Sequence, residues 1–137
     1  LRLELDDPEA HALLPDVISK EPLGPVVPSD DPAFEKAARW VLLSLIAAEE
    51  HGVTRDAASA LAADPPTPEI ARLLGAEGAI AENIGLDAEF ALRAIRVGGH
   101  YGELFDAHLG AASPLGLERG LNAQWSDGGL LYAPPFR

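Results

Sequence analysis

A mainly helical fold with one or two short strands is what this sequence predicts, on three observations. Residues from Asp31 to Gly52 carry apolar side chains at helical spacing, the longest such stretch in the chain. Pro22, Pro25 and Pro28 punctuate the stretch just before it and exclude a helix there, since each fixes φ and lacks an amide donor. Beyond Gly52, glycine and proline recur often enough to cut the remainder into short helical stripes.

Taken in order, residues 1 to 17 begin with alternating Leu1, Leu3 and Leu5 and an Asp-Asp-Pro turn. They read as the tail of an element, a loop, and a short strand near Leu13 to Ile18. Pro22 to Val27 reads as an extended segment with strand-favouring Val26 and Val27, and its prolines confine it to an edge or to a passage between two bodies. Asp31 then has the chemistry of an N-cap, with Pro32 at the first helical position. Phe34, Ala37, Ala38, Val41, Leu42, Leu45 and Ile46 form one apolar stripe, and Gly52 supplies the stop. Thr54 is expected to cap a second helix to about Ala63, and Thr67-Pro68-Glu69 to open a third to Leu74, with Gly75 as its stop. Ala76 to Gly85 is a loop or a weak helical turn. Asp87 caps a fourth helix, and Tyr101, Leu104, Phe105 and Leu109 mark a fifth. Ser113-Pro114 starts a short, glycine-broken helix through Leu117, Leu121 and Trp125. The tail, with Leu130, Leu131, Tyr132 and Phe136, must dock to stay ordered.

With 137 residues the chain has the length of one domain, and its 47% hydrophobic content and mean hydropathy of +0.05 are those of a globular one. A formal charge of −12 repels phosphate backbones, which argues against nucleic acid as a partner, and against anionic membrane surfaces. There is no cysteine, so disulfides and thiolate metal sites are excluded. There is also no methionine, and the chain opens on Leu1 without a signal peptide, from which we expect the natural N-terminus to precede it. The longest apolar run, Trp40 to Ala48, is too short to cross a bilayer.

Candidate chemistry is sparse. His11, His51, His100 and His108 do not converge with other ligands in a metal-binding pattern, although His100, Glu103 and His108 share part of one helix face. Gly98-Gly99-His100-Tyr101-Gly102 follows a helix, not a strand, so neither a dinucleotide fingerprint nor a phosphate loop fits. The serines show no nucleophile-elbow spacing, and no carboxylate pair stands out as an acid and base. Glu49-Glu50 and Asp6-Asp7 read as solvated charges. Trp40, Tyr101, Trp125 and Tyr132 read as core. No catalytic residue, metal or cofactor is expected, and the chain is not read as an enzyme.

Six strings carry a resemblance: ISKEPLGPVV at 18–27, RWVL at 39–42, AEEHGVT at 48–54, YGELF at 101–105, PLGLERGLN at 114–122 and GGLLYAPPFR at 128–137. Together they resemble the C-terminal part of the general L-amino-acid-binding periplasmic proteins of ABC importers, in family 3 of the extracellular solute-binding proteins. The resemblance implies part of a two-lobed α/β periplasmic-binding fold of type 2, in which an L-amino acid is bound between the lobes and passed to membrane permease subunits. It implies that residues 1–18 end the second lobe and approach the hinge. Residues 19–28 would be the return crossing strand, and residues 30–137 the helical C-terminal portion of the first lobe. It also implies a periplasmic location and a signal peptide in the full-length protein. The family's ligand-holding positions have no counterpart here; Ser19, Lys20 and Glu21, near the hinge, are the candidates for the cleft floor. The first lobe's sheet would need strands from elsewhere, so the stripe from Phe34 to Ile46 is expected to be left open unless a missing N-terminal half or an oligomer covers it. An alternative reading is a truncated, free-standing helical module that binds a partner without transport.

Overall fold

The computed structural model describes residues 4–12, 14, 16, 18–19 and 23–137. Among the described residues six α-helices carry the fold: α1 (Pro32–Glu50), α2 (Ala58–Ala63), α3 (Pro68–Leu73), α4 (Ile80–Ile84), α5 (Phe90–Gly98) and α6 (Tyr101–His108). The mainly helical expectation is borne out. Among the described residues the only β pairing is an isolated bridge between Gln124 and Leu131. The segment from Leu23 to Pro28 makes no ladder there, because no neighbouring strand lies beside it.

Local signals set the ends of α1 as read from the sequence. The Asp31 carboxylate accepts from the Phe34 amide at 2.9 Å, Pro32 occupies the first turn, and Gly52 takes φ +65° just past the end. Thr67 caps α3 by accepting from the Ile70 amide at 3.3 Å. Gly75 follows α3 with φ +87°, and a Cβ there would stand 2.1 Å from the Ala88 carbonyl oxygen, so only glycine lets these two loops touch.

Several boundaries differ from expectation. Thr54 and Asp87 do cap, but each closes a turn: Thr54 Oγ1 accepts from the Ala57 amide and Asp87 Oδ1 from the Glu89 amide, and α2 and α5 start beyond those turns. The weak turn in residues 76–85 is a short helix, α4. No α-helix forms after Ser113. Residues from Gly110 onward fold as turns, with 3-10 segments at Gly120–Asn122 and Trp125–Asp127. Gly116 and Gly120 both have positive φ, which breaks the helical path. The expected strand near Leu13 to Ile18 falls largely outside the described residues.

α1 packs on α5 and α6, and α2 on α5. The core gathers around the C-terminal half of α1, where Ile46, Ala47 and Ala48 meet Val53, Ala58, Ile70, Leu73, Leu74, Ala91, Leu92 and Ile95. The C-terminal tail closes it with Ala133 and Phe136; the Phe136 ring meets Trp40 edge-on, with centroids 5.2 Å apart. The tail therefore docks, but through Ala133 and Phe136, while Leu130 and Tyr132 face outward.

Candidate functional site

α1 is the element around which any site must be built, and its faces are occupied unevenly. The residues it buries are Ser44, Ile46, Ala47 and Ala48; Ser44, Ala47 and Ala48 stand at i, i+3, i+4 and form one small-residue contact strip. Ser44 has no exposed surface, and its hydroxyl donates back to the Val41 carbonyl at 2.7 Å. Of the apolar stripe read from the sequence, Ile46 alone is buried. Ala37, Ala38, Val41, Leu42 and Leu45 are half-buried, and Phe34 is 52% exposed.

Beside this open half of α1 lies the proline-rich segment. Pro25 and Val27 face Glu35, Ala38, Arg39 and Leu42 across a groove of about 190 Å³. Leu23 and Val26 in the same segment are 94% and 96% exposed. Extended backbone without pairing and a half-bare helix face thus stand side by side, both apolar. A β-layer would satisfy both, giving the segment hydrogen-bond partners and the helix a cover.

At the opposite end of α1 the surroundings are polar and closed. Glu49 makes a two-pronged ion pair with Arg119, at 2.7 Å (Oε1 to Nη1) and 3.1 Å (Oε2 to Nη2). The Arg119 guanidinium lies 5.5 Å from the Tyr101 ring centroid and 5.2 Å from that of Phe105, and donates also to the Asn122 carbonyl. Glu50 accepts from the Trp125 indole at 3.2 Å, and the buried Gln124 amide donates to the Ile46 carbonyl at 2.9 Å. Glu49 and Glu50 are therefore ties between α1 and the C-terminal segment, not free solvated charges. Nothing in their adjacent sequence marks this; the signal is Arg119, the single cation in PLGLERGLN. Trp40 and Tyr101 are partly covered, as core-edge residues are, but Trp125 and Tyr132 are more than half exposed, against the expectation that all four belong to the core.

A second cleft, about 270 Å³, opens between the end of α1, α3 and the tail; Glu50, His51, Glu69, Arg72 and Arg137 supply its polar lining. Within it Glu69 pairs with Arg72 at 3.2 Å. The Glu69 carboxyl is held below its usual range by its own backbone amide first, with Thr67, Arg72 and His51 adding to this. Asp87 is lowered likewise, chiefly by the Glu89 amide and then by Arg93.

Of the cleft-floor candidates, Ser19 is exposed and Lys20 and Glu21 lie outside the described residues. Among the described residues no three histidine or carboxylate groups gather to hold a metal ion. The structure does not bring His100 and His108 into one cluster; His100 instead caps α6.

Among the described residues a half-bare helix face and an unpaired extended segment thus stand on the same side of α1, and one further layer would cover both. In comparison with known proteins, the chain is similar to a C-terminal part of amino-acid-binding proteins of ABC transporters. It is 54% identical over 125 residues to the glutamate/glutamine/aspartate/asparagine-binding protein BztA of Rhodobacter capsulatus, covering 91% of this chain and 37% of that protein. It is 43% identical to the putative amino-acid ABC transporter-binding protein YhdW of Escherichia coli over 100% of this chain and 40% of YhdW. The general L-amino acid-binding periplasmic protein AapJ of Rhizobium johnstonii is also 43% identical, with the same coverage. A solved ABC-transporter periplasmic binding protein from Brucella ovis, with glutathione bound, superposes with a TM-score of 0.93 at 42% identity, over 99% of this chain and 43% of that one. The chain spans about two fifths of the length of the curated relatives it matches. No protein-family model matches it. The relatives are named as binding proteins, not as enzymes.

Proposed function

We propose that this chain is part of a periplasmic substrate-binding protein that binds L-amino acids and delivers them to an ABC importer. The observation that carries the proposal is the near-complete superposition on a solved binding protein over 99% of this chain but only 43% of the other, together with an α1 face left open. On this reading residues 1–18 end one lobe, residues 19–28 are the strand returning across the hinge, and residues 30–137 complete the other lobe. The groove between Pro25–Val27 and α1 is where the sheet of that lobe meets this part. Ser19, Lys20 and Glu21 then lie at the hinge and line the floor of the cleft. Ligand binding proceeds by closing two lobes about the hinge, a shift between open and closed populations. The residues here supply hinge, core and permease-facing surface, and catalyse nothing.

Calorimetric titration with a panel of L-amino acids, including glutamate, glutamine, aspartate and asparagine, tests this. The protein extended by the sequence encoded ahead of Leu1 binds, and the 137-residue chain alone does not. Binding at the hinge by the isolated chain, lost on Ser19→Ala or Glu21→Gln, overturns the assignment of the main contacts to the missing part.

A further inference from the structure

We propose that the face of the Leu23–Pro28 segment turned away from α1 is also an interface. Its occupant is an apolar segment of the same polypeptide, from the part of the protein that this chain does not match in its relatives, and it comes closest at Gly24. The proposal rests on the reading of this chain as part of a two-lobed binding protein. Side chains in extended backbone alternate between two faces. Pro25 and Val27 look across the groove at Ala38 and Leu42 of α1, so Gly24 and Val26 stand on the opposite face. Val26 is 96% exposed there.

Two observations ask for a cover on that face. The first is composition. A strand with one face in solvent alternates apolar and polar residues, whereas a strand buried on both faces is an unbroken apolar run. Leu-Gly-Pro-Val-Val-Pro at 23–28 holds no polar side chain, so Val26 stands where a solvent-facing strand carries a polar one. The second is Gly24 itself. Glycine weakens extended backbone, and its use there is a positive φ or a neighbour too close for a Cβ. Gly24 does not take a positive φ, and a Cβ on it would meet nothing within 4 Å among the described residues. Gly102, likewise without a positive φ, is the contrast: a Cβ on it would stand 2.8 Å from Glu49 Oε1. The room at Gly24 therefore serves a group outside the described residues.

Strands that join this segment do so at its edges, through backbone amides and carbonyls, and leave its faces to other layers. α1 is the layer on the first face. The sheet expected beside α1 therefore does not cover Gly24 and Val26, and a further layer is needed. At Gly24 that layer rests directly on the strand, and Val26, two residues on, is buried beneath it. The solved binding protein matches 99% of this chain, while this chain covers 43% of it. The layer is accordingly assigned to the remainder of one polypeptide and not to a second copy.

Thiol labelling and urea unfolding test this in the 137-residue chain and in the longer protein extended by the sequence encoded ahead of Leu1. This chain has no cysteine, so Val26→Cys gives it a single thiol. A maleimide, located on its peptide by mass spectrometry, is expected to react about a hundredfold more slowly in the longer protein than in the short chain. That protection is expected at every protein concentration and without added amino acid. Gly24→Ala is expected to leave the folding equilibrium constant of the short chain unchanged, or to raise it by up to about fivefold. In the longer protein it is expected to lower that constant about tenfold. Equal labelling, or an equal effect of Gly24→Ala in both proteins, overturns the proposal. Protection that appears only on concentration puts a second copy on this face, and protection that appears only with an L-amino acid puts ligand there; either overturns it too. Phe34→Asp, on the α1 side, separates this from the underlying reading. If it is costly in the longer protein alone while Gly24→Ala acts equally in both, the sheet stands and the second cover falls. If both substitutions act equally in the two proteins, the reading as part of a larger lobe falls as well. Should Val26→Cys not fold in the longer protein, carbene footprinting of Val26 in the unsubstituted proteins decides, and equal labelling there refutes the cover.

Discussion

Replacing Arg119 by methionine tests how the C-terminal segment is held to α1. The side chains of Arg119 and Glu49 are only 22% and 15% exposed, so removing the guanidinium strands a mostly buried carboxylate. Breaking a fully buried pair in this way costs about 3–5 kcal/mol, and residual solvent contact brings this site to about 2 kcal/mol. Loss of the cation above Tyr101 and Phe105 adds about 1 kcal/mol, part of which the methionine sulfur restores against the same rings. The two donations to the Asn122 carbonyl, at 3.0 and 2.7 Å, are lost as well, loosening the turn that leads to Gln124. The expected total is about 3 kcal/mol by urea unfolding, or roughly a 10 °C fall in Tm. Glu49→Gln keeps one acceptor and no charge, so it costs less. The double variant, with no stranded charge, falls short of the sum of the two single losses by about 1 kcal/mol or more. A single-variant loss under about 0.5 kcal/mol, or strict additivity, would show that the pair is an ordinary surface bridge and refute the reasoning.

Phe136→Ala removes a ring that is 7% exposed and set edge-on to Trp40; it is expected to cost about 3 kcal/mol and to red-shift the tryptophan emission. Phe34→Asp, at a position 52% exposed and in the first turn of α1, is expected to change the stability of this chain by less than about 0.5 kcal/mol. In a longer protein where a sheet covers that face, the same change costs about 2 kcal/mol, so equal effects in the two proteins would argue that nothing sits there.

The ends of the long helix were legible because they rest on local chemistry: an aspartate followed by proline at one end and a glycine at the other. The third helix and its Gly75 stop were legible for the same reason. What the sequence hid was the buried face. Ser44, Ala47, Ala48, Ala58 and Ala91 are among the most buried residues, yet small side chains carry little weight in a hydrophobic pattern. They matter because they let helix backbones approach, a property of pairs of helices and not of one. The C-terminal segment misled for a different reason. Leu117, Leu121 and Trp125 suggest a helix by spacing, but Arg119 spends its donors on Glu49 and on the Asn122 carbonyl, fixing a turn that glycines at 116 and 120 permit. The histidine cap at His100 was legible as part of a helix face, though not as a cap, because imidazole is not a residue one looks for there.

The mismatch between the visible stripe and the buried strip bears directly on function. A helix in a self-contained bundle would bury its largest apolar side chains first, since each contributes about 1.5–3 kcal/mol when covered. Ile46 apart, α1 does the reverse: within this chain it buries alanines and a serine and leaves Phe34, Val41 and Leu45 partly open. That ordering makes sense if the large residues are committed to a second layer. The segment from Leu23 to Val27 points the same way, because valines and prolines in extended backbone have no role beside a bare helix unless strands join them. Two independent features, one made of side chains and one of backbone, therefore ask for the same partner on the same side of α1. On the proposed function that partner is a sheet, and the relatives extend well beyond the part that this chain matches.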